Sequence, residues 1–139
     1  MPTPLKTEIT APELYARLNR GEDLVILDVR NEEEYKLGAI EGRHAVPQSN
    51  IPYFDFIEDA EAALAKIPFK REQEIVVVCA KGGSSEFVAE LMREDGYRTI
   101  NLIGGMLDWK DFYAIEDLVP PSDDLQIVQF NRPAKASLS

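Results

Sequence analysis

Cysteine and histidine are almost absent from this sequence, and their scarcity excludes several kinds of protein. The 139 residues include one cysteine, Cys79, and one histidine, His44. A single cysteine cannot form a disulfide within the chain, and one cysteine with one histidine cannot supply the four ligands of a structural zinc site. We therefore expect neither a disulfide framework nor a metal centre of this type.

Basic residues and long apolar runs are also scarce. The chain has 15 Lys and Arg against 25 Asp and Glu, which gives a formal net charge of −10. Nucleic acids and anionic membrane surfaces attract clustered positive charge, so we expect neither as a partner. No apolar run approaches the roughly 18 residues of a membrane span, and the N-terminal residues lack the pattern of a signal peptide. The expectation is a cytoplasmic protein.

Short runs of branched apolar residues alternate with amphipathic segments along the chain. Residues 24–29 and 74–79 each predict a buried strand of a parallel sheet, and residues 99–103 predict a third, short strand. Helices are predicted at residues 10–21, where Thr10 and Glu13 can form a capping box, and from Asn31 onward, with Asn31 as the cap. Further helices are predicted at 58–66, at 85–95 with Phe87 facing inward, and at 106–113, with a weaker strand at 45–46 and an irregular segment at 48–57. Strands alternating with helices predict an α/β fold with a mostly parallel sheet.

The end of the chain has a different composition. Residues 120–124, Pro-Pro-Ser-Asp-Asp, predict a linker, and residues 125–130 predict a further strand. We therefore expect one domain over residues 1–118, with a linker and tail over residues 119–139. The last strand is either an added edge strand or the beginning of a second domain.

Cys79 stands at the end of a predicted buried strand and is followed by a glycine-rich loop and a helix. The loop consists of Ala80, Lys81, Gly82, Gly83, Ser84 and Ser85. In parallel sheets, ligands bind at the carboxyl ends of strands, where free N–H groups and the helix dipole favour an anion. The two glycines would let main-chain N–H groups curl around a thiolate, and the serines would add hydroxyl donors and a helix cap. This context favours a reactive thiolate over an inert buried cysteine.

Several short motifs then occur in an order that resembles the rhodanese-type domain. They are Leu27-Asp-Val-Arg30, Gly38-Ala-Ile-Glu-Gly42, Val76-Val-Val-Cys79 with its loop, and Asn101-Leu-Ile-Gly-Gly-Met-Leu-Asp-Trp109. The resemblance covers about residues 8–115. It implies a rhodanese-like α/β fold, in which helices flank both faces of a central, mostly parallel five-stranded sheet.

The resemblance also implies a sulfurtransferase of the thiosulfate:cyanide class. Cys79 would take a sulfane sulfur from thiosulfate or a low-molecular-weight persulfide and pass it, as a Cys79 persulfide, to cyanide or a thiol. No metal or organic cofactor is implied. Residues 80–85 and Arg43 would bind the substrate, and Asp28 and Arg30 would support the site.

Alternatives remain open for the function and for single residues. A phosphatase would need an arginine six positions after the cysteine, where Ser85 stands. The alternatives to a sulfurtransferase are a non-catalytic docking or sulfur-carrier module and a protein with a redox-sensing cysteine. Arg30 would alternatively form a surface ion pair with Glu34, and Arg43 would be solvated. The aromatic residues Tyr53, Phe54 and Phe56 wall a pocket or pack in the core, with the core favoured.

The tail carries a second, shorter resemblance. Residues 125–139 resemble the opening strand of metallo-β-lactamase-type persulfide dioxygenase domains. This implies a fused or partner persulfide dioxygenase domain, for which the main domain would transfer or carry sulfur.

Overall fold

The computed structural model describes residues 6–40 and 46–118, which contain five strands and six helices. The strands are β1 (Glu8–Ile9), β2 (Leu24–Asp28), β3 (Gln48–Asn50), β4 (Glu74–Val78) and β5 (Arg98–Leu102). The helices are α1 (Ala11–Asn19), α2 (Glu32–Leu37), α3 (Tyr53–Glu58), α4 (Ala60–Ala65), α5 (Gly83–Glu94) and α6 (Gly105–Leu118). This alternation of strands and helices confirms the α/β fold class.

The five strands form one sheet in the order β1-β5-β4-β2-β3, and every neighbouring pair is parallel. The most apolar strands, β2 and β4, lie inside the sheet, where both faces are covered. Asp28 pairs with Val78 across these two strands, and Asn101 of β5 pairs with Val77. The carboxyl ends of β2, β4 and β5 therefore lie at the same edge of the sheet, and Cys79 directly follows β4 at this edge.

Helices cover both faces of the sheet, as predicted. Because successive side chains of a strand point to opposite faces, Leu24 and Ile26 join a core under α1 and α6, where Trp109 is 1% exposed. Val25 and Leu27 join a second core, which holds buried side chains of α3, α4 and α5. The sheet is thus shielded from water on each side.

Two helix starts follow directly from local sequence. The Thr10 hydroxyl accepts a hydrogen bond from the Glu13 N–H, while the Glu13 carboxylate accepts one from the Thr10 N–H, which confirms the predicted capping box. The side chain of Asn31 accepts from the Glu34 N–H at 2.8 Å, so Asn31 caps α2 as predicted.

The segment between β2 and β4 differs from the prediction. Strand β3 begins after Pro47 instead of ending before it, and the Pro47 carbonyl accepts from the Ile26 N–H at 3.0 Å. Residues 53–58 are helical rather than irregular. The single helix predicted at residues 58–66 is divided at Asp59, whose carboxylate caps the following helix through the Ala62 N–H at 3.1 Å.

Other differences lie at the ends of elements. Strand β1 was not predicted; it is two residues long and is held by pairing with β5. Helix α5 begins at Gly83, two residues before the predicted start, and α6 continues to Leu118. Phe87, expected to face inward, is 44% exposed.

Within residues 6–40 and 46–118, no helix is both long and apolar enough to cross a membrane. The predicted linker and tail, residues 119–139, lie outside the described residues, and so does the predicted strand at 125–130. The division of the chain at residue 118 and the fused dioxygenase domain stay predictions.

Candidate active site

Cys79 is the first residue after β4, the central strand of the sheet, and it lies close to the start of the 12-residue helix α5. Its side chain is buried, with 5% exposure. Two polar groups reach its sulfur: the Gly82 N–H donates to it, with nitrogen 2.9 Å from Sγ, and the Ser85 hydroxyl oxygen lies 3.2 Å from Sγ. The sulfur therefore lies in a polar setting at the positive end of a helix dipole.

Gly82 shapes the turn between the cysteine and the helix. Its φ of +104° is one that residues with a Cβ rarely adopt, and a Cβ there would lie 3.0 Å from the Gly104 nitrogen. Gly82 is also the N-cap of α5, and no side chain caps the helix. The predicted serine cap is therefore wrong. Because no earlier turn exists, the first N–H groups of α5 have no partner within the helix.

The predicted cup of main-chain donors is smaller at Sγ than expected. Among the hydrogen bonds of the described residues, the Gly82 N–H is the one main-chain group that donates to this atom. The free N–H groups of the first helical turn lie further along the loop.

Ser85 and Asn101 form a buried polar pair beside the sulfur. Ser85 is fully buried and Asn101 is 5% exposed. The Ser85 oxygen lies 2.5 Å from Asn101 Oδ1, and the Asn101 amide donates to the Gly82 carbonyl at 3.3 Å. Asn101 was not predicted as a site residue. Its one sequence signal is a polar side chain between two apolar residues, Ile100 and Leu102, of a predicted short strand.

The first residues of α6 form hydrogen bonds to the main chain of Cys79 and of the residue that follows it. The Met106 N–H donates to the Cys79 carbonyl at 2.8 Å, and the Leu107 N–H donates to the Ala80 carbonyl at 3.0 Å. Gly105 permits this approach, because a Cβ at that position would lie 2.4 Å from the Cys79 carbonyl oxygen. Gly105 of the Asn101–Trp109 motif thus allows α6 to bond to the main chain of Cys79 and Ala80.

Asp28 and Arg30 form a buried ion pair next to the loop. The Arg30 guanidinium donates to both carboxylate oxygens of Asp28, the shortest contact being 2.8 Å, and also to the Gly38 carbonyl at 2.6 Å. The alternative pairing of Arg30 with Glu34 is wrong, because the guanidinium bonds to Asp28 and to the Gly38 carbonyl instead. The pair ties the end of β2 to the residue that follows α2.

A cleft of about 240 Å³ opens beside Cys79. Its lining is largely apolar, with Glu34 as the charged side chain that lacks a cation partner among the described residues. The lining residues are Val29, Arg30, Asn31, Glu34, Pro52, Tyr53, Phe54, Cys79, Ala80 and Ser84. Phe54 therefore walls the cleft, contrary to the favoured expectation, whereas Tyr53 both lines the cleft and packs against the second core, and Phe56 packs in the core as expected.

The other predicted substrate-binding residues are distributed unevenly around the cleft. Ala80 and the half-buried Ser84 line it, whereas Lys81 and Gly83 are exposed on the loop and do not. Arg43 lies outside the described residues, as does His44. Their roles at this site stay predictions.

Comparisons with known proteins agree with this arrangement. The family model described as "Rhodanese-like domain" matches residues 10–112. The thiosulfate sulfurtransferase GlpE of Pseudoalteromonas translucida is 30% identical over 94 residues, which are 67% of this chain and 79% of that protein. The "Sulfurtransferase" of Allochromatium vinosum is 28% identical over 73% of this chain and 86% of that protein.

Solved structures show the same likeness. The human single-domain sulfurtransferase TSTD1 superposes with a TM-score of 0.58 at 27% identity, over 75% of this chain and 95% of that one. The NAD-dependent persulfide reductase of A. fulgidus matches with a TM-score of 0.52 at 34% identity, over 75% of this chain but 16% of that one. With the family model covering most of its length, the chain belongs to the family of rhodanese-like domains.

Proposed function

We propose that this protein is a sulfurtransferase that carries a sulfane sulfur on Cys79. The observation that carries the proposal is the place of the sulfur: it accepts from the Gly82 N–H at 2.9 Å at the start of α5 and borders a cleft. The unpaired N–H groups of the first helical turn would then face the second sulfur of a Cys79 persulfide and stabilise its negative charge.

The reaction divides into two displacements on sulfur. The Cys79 thiolate attacks the outer sulfur of the donor, a new S–S bond forms, and the donor's remaining part leaves with the electron pair as sulfite or a thiolate. An acceptor thiolate then attacks the outer sulfur of the Cys79 persulfide, and Cys79 leaves as the thiolate. No net oxidation occurs, and such covalent catalysis gives ping-pong kinetics.

The lining of the cleft favours a low-molecular-weight persulfide over thiosulfate as the donor. Thiosulfate is a compact dianion and requires a cation close to the reacting cysteine. Among the described residues, Arg30 is already bonded to Asp28, and Lys81 lies outside the cleft lining, whereas Glu34 lines it. The aromatic walls instead suit the organic part of a thiol persulfide. The persulfide reductase relative of A. fulgidus supports the same donor class.

Mass spectrometry of the protein after exposure to glutathione persulfide tests the proposal. We expect a gain of one sulfur atom on Cys79 and its loss when a thiol acceptor is added. Cys79→Ser should gain no sulfur and show no turnover. Turnover by this variant at the rate of the parent would refute the mechanism, and an unmodified parent protein would favour the non-catalytic docking module.

Paired substitutions on α3 test the choice of donor. Phe54 lines the cleft and is 63% exposed, whereas Ile57 is 51% exposed on the same helix and does not line it. Phe54→Ala should raise the KM for glutathione persulfide several-fold, with kcat little changed, and Ile57→Ala should leave both unchanged. A parent kcat/KM for thiosulfate that exceeds the value for glutathione persulfide would contradict the assignment of the donor.

A further inference from the structure

The hydroxyl of Ser85 has more acceptors around it than it can satisfy. Its oxygen lies 3.2 Å from Cys79 Sγ, 3.2 Å from the Gly82 carbonyl oxygen and 2.5 Å from Asn101 Oδ1. A serine hydroxyl has a single hydrogen and can therefore donate to one of the three at a time. The direction of that hydrogen decides whether Ser85 donates to the sulfur or accepts from it.

Asn101 determines this direction. Its amide nitrogen donates to the Gly82 carbonyl at 3.3 Å. If the side-chain amide were rotated by 180°, its oxygen would face the Gly82 carbonyl oxygen with no hydrogen between the two acceptors. The amide oxygen is thereby aimed at Ser85, at the shortest of the three distances. The Ser85 hydrogen lies toward Asn101, and the lone pairs of its oxygen face Sγ.

We propose that Asn101 is a positioning residue that acts through Ser85 to disfavour negative charge on Cys79 Sγ. This inference rests on the proposed function, since it concerns the same sulfur. In the neutral thiol, the S–H group donates to Ser85, Ser85 donates to Asn101, and Asn101 donates to Gly82, so each contact has one hydrogen. A thiolate must either face the Ser85 lone pairs or break the Ser85–Asn101 bond.

The persulfide form of Cys79 does not incur the free-energy cost of facing the Ser85 lone pairs with a charged Sγ. When a second sulfur is attached, Sγ becomes an uncharged bridging atom and the negative charge moves one bond outward, toward the first N–H groups of α5. Ser85 then keeps its bond to Asn101. The buried pair therefore destabilises the unloaded thiolate relative to the Cys79 persulfide, and it shifts the transfer equilibrium toward the loaded protein.

The test measures the Cys79 thiolate in the absence of any donor, by its ultraviolet absorbance as the pH is changed. Asn101→Ala frees the Ser85 hydrogen for the sulfur and should increase the ionisation constant of the thiol about five-fold, as expected for one hydrogen bond gained by the charged form. Asn101→Asp keeps an oxygen acceptor facing Ser85 and should give no increase. A residue that only supports the fold would move both variants in the same direction.

Two further variants separate the mechanism from a general disturbance of β5. In a Ser85→Ala background, Asn101→Ala should have no further effect, because the hydroxyl through which it acts is gone. Thr99 is the matched control: it is a buried polar residue of the same strand, and its hydroxyl donates to the Ala89 carbonyl at 2.7 Å, away from the cysteine. Thr99→Val should lower stability and leave the thiolate titration unchanged.

Apart from the carboxylate that Asn101→Asp introduces, no variant changes the charged groups that the described residues place around the cysteine loop, so these groups do not contribute to the effect of Asn101→Ala. They are Arg30 and Glu34 in the cleft, Asp28 paired with Arg30, Lys81 on the loop and Asp108 at the start of α6. If Asn101→Ala does not fold, the milder Asn101→Ser should shift the titration in the same direction.

The loading equilibrium supplies a second measurement. With glutathione persulfide and glutathione in fixed proportion, Asn101→Ala should hold a several-fold smaller ratio of persulfide to thiolate than the parent. An unchanged or larger ionisation effect of Asn101→Ala in the Ser85→Ala background would overturn the inference. A parent protein that never gains sulfur refutes the proposed function instead, and the donor-free titration still decides the role of Asn101.

Discussion

Gly105→Ala is the substitution for which the structure gives the sharpest expectation. Gly105 has φ of +58° and begins α6 against the main chain of the cysteine loop. A Cβ at this position would lie 2.4 Å from the Cys79 carbonyl oxygen, 2.7 Å from the Ala80 carbonyl carbon and 2.8 Å from its oxygen. All three neighbours are main-chain atoms, so no side-chain rotation relieves the overlap.

The cost can be added from two sources. A residue with a Cβ in the left-handed region loses roughly 1–2 kcal/mol relative to glycine. Moving the helix away from the loop weakens the bonds from the Met106 and Leu107 N–H groups to Cys79 and Ala80, at about 1 kcal/mol each. We expect a loss of about 3–4 kcal/mol, which is a large part of the roughly 5–15 kcal/mol typical of a domain.

Urea unfolding followed by tryptophan fluorescence measures this loss. The chain has a single tryptophan, and Trp109 lies buried on α6, so its emission reports on the docking of this helix. Gly83→Ala is the matched control. Gly83 belongs to the same loop region, but a Cβ there would meet nothing within 4 Å, and its φ lies outside the left-handed region. It should be neutral or stabilising by up to about 1 kcal/mol.

Sulfur loading gives an independent check on the same variant. Because the displacement of α6 also moves the Cys79 carbonyl, the Gly105→Ala variant should load sulfur more slowly than the parent at temperatures where it is still folded. If Gly105→Ala unfolds at the same urea concentration as Gly83→Ala and loads sulfur at the parent rate, then α6 does not position the cysteine.

Two further predictions concern charged groups. Arg30→Met leaves the Asp28 carboxylate buried without its partner and should cost about 3–5 kcal/mol in urea unfolding, whereas Lys36→Met at an exposed site should change little. The bond from Lys6, together with those from Thr10, lowers the pKa of Glu13 from 4.5 to about 2. The stabilisation that these bonds to the ionised Glu13 carboxylate give the folded protein is therefore present above pH 4.5 and lost as the pH falls toward 2. Glu13→Gln should accordingly destabilise the protein at neutral pH and not near pH 2. A pH-independent effect of that substitution would contradict this assignment.

Local sequence determined those features whose causes lie within a few residues. The runs of branched residues before Asp28 and Cys79 form the two central strands, because only a strand covered on both faces buries every side chain in such a run. The Thr10–Glu13 capping box formed as predicted, since both partners lie in one helical turn. The position of Cys79 at a strand end was predictable for the same reason.

The tertiary structure decided what distant segments do to one another. Arg30 bonds to Asp28 and the Gly38 carbonyl, a choice over Glu34 that helical spacing could not make. Phe54 faces the cleft while Phe56 enters the core, because α3 packs on the sheet through its Phe56 side. The two residues of β1 form a strand only because the edge of β5 is available to pair with them.

The surroundings of the sulfur show the same division most clearly. The sequence placed a cysteine, two glycines and two serines at the start of a helix, and this pattern predicted the reacting atom. Asn101 of β5 bonds to Ser85 beside the sulfur, and Gly105 of α6 lies against the main-chain carbonyl of Cys79. Both come from later segments of the chain and meet the cysteine loop because β5 lies beside β4 in the sheet. Strand order depends on the packing of the whole domain, and no local pattern of residues encodes it.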